Sequence, residues 1–106
     1  MSKSLLYQGQ PGDTAGIAIT SSAITRVIDQ AVVVNPTAGA DWISVWIVPT
    51  GGSADDTTII YHEMPIAADG VPVTLGALIN HAIPIGGTVQ IQADTAATLT
   101  VTISGR

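Results

Sequence analysis

Cysteine is absent from the 106 residues, so disulfides and thiolate metal sites are excluded outright, and the redox compartment leaves no mark on the sequence. Phenylalanine is absent too, and the aromatic residues are Tyr7, Trp42, Trp46 and Tyr61 alone. Sandwiches that bind or cleave carbohydrate usually present several exposed aromatics, which this chain lacks. Charge is scarce: 10% of residues carry it, against about 25% in an average soluble domain, which favours a chain that buries much of its surface, including against other subunits. Lys3, Arg26 and Arg106 stand against eight acids, for a net charge of −5. Three scattered basic residues make no phosphate-neutralising patch, so no nucleic-acid partner is expected. No apolar run approaches ~18 residues, so no helical membrane span is expected. The opening "MSKSLLYQGQPG" has no apolar core of signal-peptide length. A protein made and kept in the cytosol, or released by lysis, is expected.

What the chain does have is an excess of stiff, branched side chains. It carries 14 Ile, 10 Val and 13 Thr against five Leu. Two heavy atoms on Cβ restrict χ1 and suit a pleated surface better than a helix. Turn-forming clusters recur about every 10 residues: "QPGD" (10–13), "TSS" (20–22), "NPTAGAD" (35–41), "PTGGSADD" (49–56), "AADG" (67–70), "NHAIPIGG" (80–87) and "ADTA" (93–96). Strand-length segments lie between them. "ATLTVTIS" sends Leu99, Val101 and Ile103 one way and Thr98, Thr100, Thr102 and Ser104 the other; "TVQIQA" repeats the pattern with Val89 and Ile91 inward. In "AGIAIT", alternation places Ile17 and Ile19 on one face. The long "RVIDQAVVVN" predicts a strand covered on both sides or a bulge around Asp29–Gln30. "GALINHAI" (76–83) is the one place with room for a helical turn. These features predict an all-β, antiparallel sandwich of seven or eight strands. A single domain over 13–106 follows a lead over 1–12 that is either an edge strand or an arm reaching to a neighbour.

Candidate chemistry is thin. His62, His81 and an acid such as Glu63 would be needed for a two-His, one-carboxylate metal site. In a regular strand His62 and Glu63 point to opposite faces, so they are expected to be surface or interface residues. Asp55 and Asp56 follow Gly51–Gly52 but lack the D-x-D-x-D-G spacing of a calcium loop, and a solvated turn is expected. "TISGR" is not a nucleophile elbow. The glycines of "PIGGT" and "PTGGS" lack the helix and lysine of a phosphate cradle. No catalytic, metal-binding or cofactor-binding residue is assigned, and no enzyme is expected.

The segment "ADWISVWIVPTGG" poses the main question. Alternation places Ile43, Val45 and Ile47 on one face and Trp42, Ser44, Trp46 and Val48 on the other. Either the tryptophans form the core, or the isoleucine face does and the tryptophans meet another chain. An indole contributes ~150–250 Å², worth at most ~4–6 kcal/mol when buried, and Trp is enriched at interface hot spots.

The order of segments, "LLYQGQPG", "ITRVIDQAVVVNPT", "ISVWIVPTGGSADD", "IIYHEMPIAADGVPVTLG", "IPIGGTVQIQAD" and "ATLTVTISG", resembles the small virion structural proteins of tailed bacteriophages. Head decoration (cement) proteins and related tail or fibre modules share the "VPTGG" after a central strand, the "IPIGGTV" approach to the penultimate strand and the "VTISG" ending. The likeness runs from about Ile17 to Gly105. It implies a jelly-roll-like sandwich without catalysis, present in many copies on a symmetric shell. The paired tryptophans depart from that pattern, and no functional residue set carries over. The resemblance implies a virion protein, assembled in the host cytoplasm, that binds the major capsid protein and bridges its subunits as a homo-oligomer, dimer or trimer. The alternative is a tail or receptor-fibre module binding host glycans. Trp42, Trp46, Leu5, Leu6 and Tyr7 are the expected protein contacts.

Overall fold

In the computed structural model, which describes residues 4–21 and 23–106, the chain forms nine strands and one 3-10 turn. They are β1 (Ser4–Gly9), β2 (Gly16–Thr20), β3 (Arg26–Val34), β4 (Asp41–Val48), β5 (Ile59–Ile66), β6 (Val73–Thr74), β7 (Ala82–Ile83), β8 (Thr88–Ala93) and β9 (Thr100–Gly105), with the 3-10 turn at Gly76–Leu78. Met1–Lys3 of the expected lead and Ser22 of the "TSS" turn lie outside the described residues. Ser4–Gly9 is an edge strand, antiparallel to β9.

Two antiparallel sheets face each other. One has the order β1-β9-β3-β6, with β7 also pairing β3; the other has the order β2-β8-β4-β5. The pairings nest: β1 with β9, β2 with β8, β3 with β6 and β7, and β4 with β5. The chain is therefore one long hairpin, its tip at the β4–β5 connection, rolled up so that successive pairs fall in alternate sheets. That nesting defines a jelly roll, with β7 as an additional two-residue pairing.

The sheets bury an aliphatic core of Ile19, Ile28, Ala31, Val33, Ile43, Val45, Val89, Ile91, Leu99, Val101 and Ile103, closed at its margins by Ile66, Leu75, Leu78 and Ile83. Branched side chains at every second position interlock across the two inner faces. The alternation read in β8 and β9 holds, with Val89, Ile91, Leu99, Val101 and Ile103 all inward. The irregularity read near Asp29 is a bulge: Ile28 opposes Gly105 but Gln30 opposes Ser104, leaving Asp29 over. Arg106 fastens it through two hydrogen bonds, Nε to Asp29 Oδ2 at 3.0 Å and Nη2 to Oδ1 at 2.9 Å. This bidentate pairing holds the Arg106 guanidinium above its ordinary pKa, and the adjacent negative charge adds to it. Gly105 must lack a side chain there, because a Cβ would overlap the Val27 carbonyl oxygen.

One expectation is corrected in β2. Ile17 opposes Gln90 and Ile19 opposes Val89, so Ala18 is bulged out and the two isoleucines fall on opposite faces. Ile19 enters the core and Ile17 is left 62% exposed. One extra residue shifts the side-chain period, which alternation alone does not register.

Polar hubs secure the loops opposite the β4–β5 tip. Asn35 opens an Asx turn: its Oδ1 accepts from the Thr37 amide (3.0 Å) and hydroxyl (2.6 Å), while its Nδ2 donates to Gly39 O (2.8 Å). Buried Asp41 holds the β8–β9 turn against the start of β4. Its Oδ1 accepts from the amides of Trp42 (2.7 Å) and Asp94 (2.9 Å), and its Oδ2 from the Thr95 amide (3.4 Å) and the Thr98 hydroxyl.

Candidate functional site

On β4, Ile43 and Val45 belong to the core and Ile47 packs against it, so the isoleucine face fills the sandwich. The tryptophans lie on the outer face of the sheet. There Trp46 stands beside Gln90 of β8 and Ile59 of β5, and Trp42 beside Pro65. Their exposure differs: Trp46 is 8% exposed, covered within its own chain, whereas Trp42 is half-buried. Ser44 and Val48 on the same face are buried as well. Of the pair, Trp42 has the greater surface left for a partner.

The β5 edge carries a second correction. Pairing runs Ile43 to Met64, Val45 to Tyr61 and Trp46 to Ile59, so β5 contains two extra residues. One bulge falls at His62–Glu63, where Glu63 takes a left-handed φ of 47° and its amide donates to Ser44 Oγ at 2.9 Å. The expected divergence of His62 and Glu63 therefore does not occur: Nε2 and Oε2 approach to 3.4 Å, both side chains exposed. His81 lies elsewhere, on the connection from the 3-10 turn to β7. No group of three His, Asp or Glu able to hold a metal forms among the described residues.

Three exposed apolar side chains lie at the end carrying the connections after β2, β4 and β7, while Ile17 and Val71 are exposed elsewhere. Hydrogen bonds knit these loops together: Ser21 N–H to Gly87 O (3.0 Å) and Gly86 N–H to Ser21 O from the backbone, and the Thr50 hydroxyl to Ile85 O (2.8 Å). Gly86 is required by its φ of 82° and because a Cβ would strike the Thr50 hydroxyl. The loops present Ile24 at 51% and Ile85 at 56% exposure, and the start of β1 adds Leu5 at 57%. Leu6 and Tyr7 pack partly against the core instead; burial pushes the Tyr7 hydroxyl above its ordinary pKa.

At the same end the sandwich opens between the edge strands β1 and β2. A cleft of about 260 Å³ is bounded by Ser4, Leu5 and Leu6 of β1, by Ala18 to Thr20 of β2, and by Arg26 at the start of β3. Leu6 and Ala18 are the bulged residues of their strands, so both ladders deform at the cleft. Arg106 is committed to Asp29, whereas Arg26 has no carboxylate partner among the described residues. The sequence could not show this cleft, which exists only because residues more than ten positions apart are brought edge to edge.

Across the same end, the β4–β5 loop carries the chain's acidic pair. Asp55 accepts from the Thr57 amide (2.9 Å) and hydroxyl (2.6 Å), an Asx turn that holds its carboxyl below the usual range, and the Thr58 hydroxyl closes the loop onto Ser53 O (2.7 Å). Asp56 is exposed beside it.

Fold and surfaces together define the class: a jelly-roll β-sandwich whose distinctive features are on its outside. Comparison with family models, with curated proteins and with solved structures finds no match.

Proposed function

We propose that the protein is a non-enzymatic structural component of a tailed-phage virion, a decoration protein that stabilises the assembled head by bridging subunits of the major capsid protein. The observation that carries this reading is the apolar end of the sandwich, where Leu5, Ile24 and Ile85 are each more than half exposed. Large apolar side chains left exposed at one end of a domain are natural points of protein contact. The segment order that resembles phage decoration proteins supports the same role, although a jelly roll by itself serves many functions. The scarcity of charge suits repeated neutral contacts with a protein shell.

The physics is that of a clamp. A copy that binds the assembled shell and not free subunits stabilises the assembly by RT ln(1 + [L]/Kd), about 2.7 kcal/mol per site at a hundredfold excess over Kd. Bridging adds avidity, because the second contact forms at high effective concentration once the first is made.

The test is recovery with tail-free heads of the phage that encodes the chain, separated on a density gradient. Stoichiometric copies on heads, lost in an Ile24→Asp, Ile85→Asp variant that melts like wild type, are expected. Recovery on tails alone, or binding to host glycans instead of heads, would replace this reading with that of a fibre module.

A further inference from the structure

The charge on the loop-bearing end is divided between its two sides, with Arg26 at the start of β3 in one sheet and Asp56 on the β4–β5 loop of the other. In the order β2-β8-β4-β5, the cleft with Arg26 lies against β2 and the loop with Asp56 springs from the β4–β5 turn at the opposite edge. The two are about three strand spacings, or ~14 Å, apart across the sheet. One edge offers a cation without a carboxylate and the other a carboxylate without a cation, since neither residue has an ion-pair partner among the described residues. They do not pair with each other within one molecule.

We propose that the chain self-associates through this end, the Asp56 carboxylate of one copy entering the β1–β2 cleft of another and pairing with its Arg26 guanidinium. This rests on the assembly reading above and names its self-contact.

Three features favour this occupant. The Asx turn at Asp55 uses that carboxylate internally and leaves Asp56 projecting from a loop braced by Thr57 and Thr58. The cleft is the size of one or two side chains, below the ~300–1,000 Å³ of sites for larger ligands. The bulges at Leu6 and Ala18, in the pairings with β9 and β8, bend both edge strands, which disfavours an added strand and admits a loop tip. Because loop and cleft lie at one end of the molecule, two copies meeting end to end about a two-fold axis would make both contacts at once.

The experiment is sedimentation of the purified full-length protein over a concentration series. Wild type is expected to form a discrete oligomer that weakens as salt screens the pair. Asp56→Lys and Arg26→Glu should each weaken association at least about tenfold, and the double exchange Asp56→Lys, Arg26→Glu should restore it. Asp13→Lys, an identical charge change at the other end, should leave association intact. A wild-type protein monomeric at millimolar concentration, an Asp56→Lys variant that associates normally, an unrescued double exchange, or equal loss in Asp13→Lys would each overturn the proposal. Asp56→Lys alone decides the matter should Arg26→Glu fail to fold. Oligomers that ignore phage heads would sink the virion role and leave this contact standing; a monomer that binds heads would do the reverse.

Discussion

Replacing Trp46 by serine separates the two roles an outer-face tryptophan can have. With 8% of its surface exposed, the side chain is covered by its own chain before any partner arrives. Nine-tenths of an indole's ~150–250 Å², at ~25 cal/mol per Å², corresponds to about 3–5 kcal/mol. Large-to-small substitutions of buried Trp cost a similar amount, ~3–5 kcal/mol. Against a total of about 5–15 kcal/mol for a domain of this size, that is a large fraction. Urea denaturation followed by circular dichroism should show Trp46→Ser destabilised by that margin, with a melting temperature lowered by more than about 10 °C. Trp42→Ser, at a less buried position, should cost less. The single-tryptophan proteins Trp42→Tyr and Trp46→Tyr provide a second readout, since Trp46 should emit at shorter wavelength than Trp42. A Trp46→Ser protein within about 0.5 kcal/mol of wild type, the range of ordinary surface substitutions, would refute the intramolecular cover.

Two further outcomes follow from the polar framework and from titration. Asp41→Ala removes the acceptor for the Trp42, Asp94 and Thr95 amides and the Thr98 hydroxyl, and should cost about 2–3 kcal/mol in urea denaturation, whereas Asp13→Ala should stay within about 0.5 kcal/mol. Tyr7 has a folded pKa raised above its unfolded value, so the stability this contributes is present below about pH 10 and is lost as pH rises past it. The alkaline decline in melting temperature should be shallower in Tyr7→Phe.

Much of the architecture was legible before any coordinates. Alternation in β8 and β9 identified Val89, Ile91, Leu99, Val101 and Ile103 as core, and the interruption at Asp29 was visible as an acid within an apolar run. The one helical turn lies where "GALINHAI" left room for it. The failures share a cause. Ile17 and the His62–Glu63 pair were misplaced because β2 and β5 are bulged, and a bulge is set by how one strand meets its neighbour. The choice between the two faces of β4 was likewise undecidable locally, since both are apolar.

By itself, then, the sequence determined the β character, the single sandwich core and the absence of disulfide chemistry, because side-chain stiffness, two-residue periodicity and residue type are properties of the local chain. Only the tertiary structure decided the nesting of strands into a jelly roll, the cover over Trp46, and the placing of Arg26 in the β1–β2 cleft on the far side of the loop-bearing end from Asp56. Those depend on contacts between distant segments, whose register no local pattern encodes.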